Sequence, residues 1–263
     1  MKRLIFAVIA ALLIALPELT ARLYIVLAAP ALAPWHMPDE LPAMMDRGSL
    51  TPDGYFKFSE YSGHFYSISG NRRATAGQPL RYRRTIWVFG NSEAFGIYVP
   101  DALTMPSRLQ RIINGAGLAW RVENVAGPGD PIAGELALMR SLSIQPGDLV
   151  IFDDGGIDLR GGNCTDRTFA LAQIVCHIWY LHGGNSGALA DFQRIAARAE
   201  SYAHSKGATF IHFLQPSPDD DYYLNARGIR LAVPFSMMED SFHLTAEGEA
   251  LEASEIFGYL TTF

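Results

Sequence analysis

The chain has 263 residues, of which 49% are hydrophobic, and a net charge of −6. That is enough apolar material for one α/β domain with an N-terminal appendage, and the acidic balance argues against a nucleic-acid partner. Two cysteines, Cys164 and Cys176, exclude a disulfide scaffold, and no histidine or second cysteine pair stands near them at zinc spacing. In an oxidising compartment they could bond; otherwise they read as two buried thiols.

The N-terminus carries a membrane signal. Lys2 and Arg3 precede the apolar run Leu4 to Leu16, then come Pro17, Glu18 and a second apolar stretch from Leu23 to Ala33. The first run is shorter than the roughly 20 residues of a full span and is closer to a signal h-region. Ala31-Leu32-Ala33 has the look of a cleavage site, but Pro34 follows it directly, and proline after the scissile bond usually blocks signal peptidase. The favoured reading is an uncleaved signal anchor over residues 1–33. Its helix would reach about Thr20, with Glu18 and Arg22 at the far interface. The basic end would stay in the cytoplasm and the domain outside it, on the periplasmic side if the cell is bacterial. A buried soluble helix is the alternative.

Residues 34–83 read as a linker and strap. Pro30 to Leu50 holds four prolines and three methionines. Tyr55 to Gly77 is aromatic and polar, and the alternation in GHFYSIS predicts short extended pieces. Arg72, Arg73, Arg81, Arg83 and Arg84 read as a solvated loop and strand edge, although such a cluster could also meet an acidic substrate group.

From Thr85 strands and helices alternate. Predicted strands are Thr85–Phe89, Trp120–Asn124, Leu149–Phe152 and Thr209–Phe213. Predicted helices are Met105–Asn114, Ile132–Leu142, Leu189–Ser205 and Thr245–Leu260, with Gly115, Gly117 and Gly207 as stops. Such alternation implies a parallel sheet with helices on both faces. The turns at Gly90–Ser92, Asn124–Asp130 and Asp153–Asp158 would then share one sheet edge. Parallel sheets put their sites there.

Ser92 stands on the first of these turns. Near the C-terminus, Asp240-Ser-Phe-His243 puts a carboxylate and an imidazole three residues apart, ahead of a helix. A serine hydroxyl is inert unless a base takes its proton. His243 would be that base, and Asp240 would orient it, in the chain order Ser…Asp…His. Taken singly, a serine after glycine is a turn residue, and an Asp-x-x-His before a helix is a cap.

Four blocks in order make the chain resemble the SGNH (GDSL-type) hydrolase family from about Arg84 to the C-terminus. They are Gly90-Asn91-Ser92; NVAGPGD, Asn124 to Asp130; Gly155-Gly156-Ile157-Asp158; and Asp240 to His243. The resemblance implies an α/β three-layer sandwich with a mostly parallel central sheet, a flavodoxin-like SGNH hydrolase fold, behind the N-terminal membrane helix. It implies Ser92, Asp240 and His243 as catalytic residues and the backbone N–H groups of Ser92 and Gly129 as oxyanion donors. Asn91 replaces the usual Asp, a light change that keeps an acceptor. Ile157 replaces the Asn that supplies the family's third oxyanion donor, and isoleucine has no hydrogen-bonding group.

Two function classes follow. One is an exported serine esterase or O-acyltransferase acting on O-acyl, above all O-acetyl, esters of a polysaccharide. The other is a catalytically impaired module that binds glycan or supports a polysaccharide assembly complex. Neither needs a cofactor. Asp153, Asp154 and Asp158 lack a further ligand group at metal spacing. His177, His182, His204 and His212 fall in helix or strand contexts and read as structural or surface residues.

Overall fold

The computed structural model describes residues 16–23, 38–160, 186–216, 226–239 and 243–262. Asp240, Cys164, Cys176, His177, His182, the segment Ala31 to Pro34 and most of the expected anchor lie outside the described residues, as do the side chains of Ile157, Arg160, Ser186 and Phe235. Residues 16–23 are helical, with Arg22 paired to Glu18 at 2.8 Å. Among the described residues no helix is long and apolar enough to cross a membrane.

The described strands build one eight-stranded sheet and a two-stranded hairpin. The hairpin is β1 (Ser49–Leu50) with β2 (Phe56–Lys57). The large sheet holds β3 (Tyr61–Ser62), β4 (Ser67–Ser69), β5 (Arg72–Arg73), β6 (Arg84–Gly90), β7 (Trp120–Asn124), β8 (Leu149–Asp154), β9 (Thr209–Leu214) and β10 (Ile229–Arg230). Its order is β10-β9-β8-β6-β7-β5-β4-β3. The five strands from β10 to β7 are parallel, and β5, β4 and β3 continue the sheet antiparallel. Counting the parallel strands along the chain gives the order 2-1-3-4-5, the flavodoxin-like winding, whose switch point lies between β6 and β8.

The pleat of β6 explains the layers. Ile86 and Val88 face one core cluster with Leu109 and Ile113 of α3 (Met105–Gly115) and Ile256 and Leu260 of α7 (Ala246–Leu260). Trp87 and Phe89 face the other, with Leu136 and Met139 of α4 (Ile132–Ser141) and Phe192, Ala199 and Ala203 of α6 (Ser186–Ser205). Side chains of a strand alternate between faces, so a continuous apolar run such as TIWVF suits a strand covered on both. Thr104 caps α3 by accepting from the N–H of Ser107, and Thr245 caps α7 by accepting from that of Gly248, as hydroxyl side chains do at helix starts.

Trp120–Asn124 has the predicted bounds, most other elements shift by a residue, and α6 starts three residues before the predicted Leu189. β8 runs two residues further than predicted, through Asp153 and Asp154, because pairing with Phe213 and Leu214 of β9 holds the backbone extended. The strap contains a short helix, α1 (Glu40–Met45), whose Leu41 and Met44 enter the core, and from Tyr61 to Arg73 it supplies β3, β4 and β5. One expectation fails. Arg73 is not part of a solvated edge but is 2% exposed. β5 alternates like any strand, so Arg72 faces outward and Arg73 inward, where five oxygen acceptors meet it.

Candidate active site

β6 ends at Gly90, and α2 (Ser92–Phe95) starts two residues later. Gly90 has φ +155°, and a Cβ there would lie 2.3 Å from the Asp153 carbonyl oxygen. Glycine is needed for this close approach to β8. Asn91 is the cap of α2: its Oδ1 accepts from the N–H of Glu93 at 3.2 Å. Its amide also makes a reciprocal pair with Gln215, just past β9. Asn91 Nδ2 donates to Gln215 Oε1 at 2.8 Å, and Gln215 Nε2 donates to Asn91 Oδ1 at 2.7 Å. Gln215 also donates to the Asp153 carbonyl at 3.2 Å and accepts from the N–H of Gly156 at 3.2 Å. One buried side chain therefore locks the Ser92 turn to the ends of β8 and β9. An aspartate at position 91 would have no N–H to donate to Gln215, which is the physical reason asparagine fits here.

At the other end of α2, Arg73 gathers the chain. Its guanidinium donates to the carbonyls of Phe95, Gly96 (2.7 Å), Val99 (2.6 Å) and Phe65 (3.1 Å), and pairs with Asp101 at 2.9 Å. It lies over the rings of Tyr66 and Phe95, 4.8 and 4.7 Å from their centroids. Carbonyls left over at a helix end need donors, and here one arginine supplies them.

His243 arrives from the far end of the chain. Its carbonyl accepts from the N–H of Glu239 at 2.8 Å, Leu244 bridges to Met238, and the N–H of Thr245 donates to Met237 at 2.8 Å before α7 begins. These ties fix the imidazole so that Nε2 stands 2.8 Å from Ser92 Oγ. Both side chains are buried, Ser92 at 8% and His243 at 1% exposure. The Tyr98 ring meets the imidazole edge-on, with centroids 5.2 Å apart.

The other two turns arrive at the same edge. Val88 pairs with Asn124, and Gly90 with Asp153. The N–H of Gly127 donates to the Gly90 carbonyl at 3.0 Å, and Asn124 Nδ2 donates to the Ala94 carbonyl at 3.2 Å, so the Asn124–Asp130 loop is bound directly to the serine turn. Gly129 has φ +83°, and a Cβ there would meet nothing within 4 Å. That dihedral alone favours glycine. Ile157 is the second residue of α5 (Gly156–Arg160). Sequence reading thus named Ser92, His243 and the loops that carry Gly129 and Ile157. It missed Gln215, whose one signal was its place just past a predicted strand at the same edge.

A second acid–base pair lies nearby. His212 Nε2 is 2.6 Å from Asp154 Oδ1, and the ring packs 5.3 Å from Phe192. Burial also holds several other carboxyls above their ordinary range. Asp158, which accepts from the N–H of Ile132, and Asp130, which accepts from that of Phe56, are both pushed up to about 7. Glu135, Asp153 and Glu252 are also raised, chiefly by burial and further by neighbouring acids. Among the described residues no group of three or more His, Cys, Asp or Glu is placed to hold a metal ion.

No family model matches the chain, and none of the curated proteins does. Solved structures do resemble it. A member of the lipolytic protein G-D-S-L family from Veillonella parvula matches at 12% identity and TM-score 0.46, over 69% of this chain and all of that one. The psychrotrophic esterase EstA from Pseudoalteromonas sp. matches at 15% and 0.47, over 68% and 97%. TesA matches at 16% and 0.47, over 68% and 98%.

Proposed function

We propose that this chain is an SGNH-like serine hydrolase acting on O-acyl esters. One observation carries the reading. Ser92 Oγ and His243 Nε2 are 2.8 Å apart at the carboxyl edge of a parallel sheet, just beyond the end of β6, which borders its switch point. In this reading His243 takes the hydroxyl proton as Ser92 attacks the ester carbonyl, then gives it to the leaving alcohol. Water, activated by the same imidazole, releases the acyl group from Ser92; a second alcohol in its place would make the reaction a transfer. Asp240 orients His243, and the N–H groups of Ser92 and Gly129 receive the oxyanion. A fluorophosphonate probe tests the reading directly: it should label the protein and should not label Ser92→Ala. Labelling that persists in the variant would remove Ser92 from the mechanism.

The substrate in this proposal is an O-acetylated polysaccharide outside the cytoplasm, with the chain held at the membrane by residues 1–33. The charged start, the apolar run and Pro34 support the anchor. Protease added to spheroplasts should reach the domain, and a mature chain beginning at Pro34 would refute the anchor.

Ile157 favours a second reading, a glycan-binding module of low activity. Losing an oxyanion donor typically costs about 10²–10³ in rate. Ile157→Asn should raise kcat on a small acyl ester by about tenfold if Ser92 and His243 are competent. No activity in either form, with glycan binding intact, would leave the binding module.

A further inference from the structure

The loop that carries Gly129 is tied to three separate parts of the fold, and two of the ties are carboxyl groups that the proton transfer does not use. Gly127-Pro128-Gly129-Asp130 is a tight turn, closed by the N–H of Asp130 donating to the Gly127 carbonyl at 3.0 Å. Proline at its second position and a glycine of φ +83° at its third are the pattern of a type II turn. The closing bond uses the N–H of Asp130 and not that of Gly129. The first tie runs from the N–H of Gly127 to the Gly90 carbonyl at 3.0 Å and joins the turn to the end of β6.

Asp130 makes the second tie. It is 2% exposed and folds back over its own turn, so that a Cβ on Gly127 would lie 2.2 Å from Asp130 Oδ2. Its Oδ1 accepts from the N–H of Phe56 in β2 at 2.7 Å, across 74 residues of chain. The β1–β2 hairpin is seated beside the loop at a further point: a Cβ on Gly134 of α4 would lie 2.4 Å from the Gly54 carbonyl oxygen. Asp158 makes the third tie. Both its oxygens accept from the N–H of Ile132, the first residue of α4, at 3.2 Å. The first N–H groups of a helix have no partner within it, and Pro131 in the cap position supplies no side-chain acceptor. A carboxyl group from α5 does so instead, at the end of the helix that favours negative charge. Asp158 follows Ile157 directly, so the same bond holds the start of α5 against the loop.

We propose that Asp130 and Asp158 are positioning residues, which hold the Gly129 N–H where the oxyanion forms. The inference rests on the proposed function and deepens it. Isoleucine at position 157 can supply no side-chain donor, so the oxyanion depends on the N–H groups of Ser92 and Gly129. With two donors in place of three, a small displacement of either falls directly on the transition state. Ser92 is fixed by α2 and by the Asn91–Gln215 pair. Gly129 stands on a loop, and Asp130 and Asp158 bind that loop on its two outer sides.

The test is hydrolysis of a small acyl ester by the full chain at pH 8, above the values of about 7 to which burial raises both carboxyls. Asp130→Ala and Asp158→Ala should each lower kcat by about tenfold with KM little changed, because an oxyanion donor acts mainly in the transition state. Asparagine keeps an acceptor without the charge, and charge-assisted bonds are roughly twice as strong as neutral ones, so Asp130→Asn and Asp158→Asn should lose only about threefold. Hydrogen exchange read by mass spectrometry should quicken in peptides spanning Phe56 for the Asp130 variants and Ile132 for the Asp158 variants, with the central strands unchanged. A parent chain that neither cleaves the ester nor takes the fluorophosphonate probe would refute the proposed function and this inference with it. An active, labelled parent would overturn the positioning role alone if the variants kept its kcat, lost only in KM, or did no better with asparagine than with alanine. Should an alanine variant fail to fold, the threefold loss of kcat in its asparagine counterpart decides the matter, and an unchanged kcat there removes that residue from the role.

Discussion

Two histidines in this molecule make short hydrogen bonds, and they do different work. His243 meets a hydroxyl, 2.8 Å away, on the turn that leaves the carboxyl end of β6. His212 meets a carboxylate, 2.6 Å away, within the layer of β8, β9 and α6. The ring chemistry is the same in both. The partner and the place differ: a hydroxyl at a sheet edge can become a nucleophile, whereas the carboxyl group buried between strand and helix ties β8 to β9. Chemistry-bearing residues are therefore read by position as much as by type.

The largest expected effect tests the first pair. Ser92→Ala or His243→Ala should lower ester hydrolysis by about three orders of magnitude or more, and the double variant should lose little beyond either single one, because the two act as a unit. Thermal unfolding of Ser92→Ala should stay within a few degrees of the parent. An additive loss in the double variant would separate the two residues.

The second pair should behave the other way round. His212→Ala leaves the Asp154 carboxylate buried without that partner, a change that typically costs about 3–5 kcal/mol. Urea unfolding should register that loss, while kcat per folded molecule changes little. A loss of kcat with unchanged stability would give His212 a part in the reaction and dissolve the contrast.

Gln215 lies between the two cases. Gln215→Leu removes the reciprocal amide pair and leaves Asn91 Nδ2 without that acceptor, at about 1–3 kcal/mol. Because the pair fixes the serine turn, kcat should also fall, by about tenfold, with KM little changed. Asn91→Asp should act similarly, and the two changes combined should cost less than their sum. Strict additivity would mean that the pair does not couple.

The last test is one of pH. Glu249 takes the N–H of Met105 at the start of α3, and burial pushes it up to about 8 from an ordinary 4.5. The folded state then holds a proton that the unfolded chain has released, so this contribution to stability is full below about pH 4.5 and is lost as pH rises through 8. Urea midpoints measured from pH 5 to 9 should fall for the parent and fall less for Glu249→Gln. Parallel slopes would remove Glu249 from that dependence.

The alternation of apolar runs and glycine stops determined the parallel α/β core, because 2.0 and 3.6 residue periods are local properties. The same reading found Ser92 and His243, since glycine, serine and an Asp-x-x-His spacing are legible without a fold. Other features depended on distant parts of the chain. Arg72 and Arg73 are identical letters, and only the pairing of β5 with β7 sent one to the surface and the other under α2. The predicted strand Leu149–Phe152 stops where the apolar run stops, yet pairing with β9 carried β8 to Asp154. Gln215 became part of the site through a partner 124 residues away, a contact no local pattern encodes. Local sequence set each element and its reactive groups. Which of those groups meet, and which face they meet on, was decided by tertiary structure, because burial and register belong to the assembled sheet.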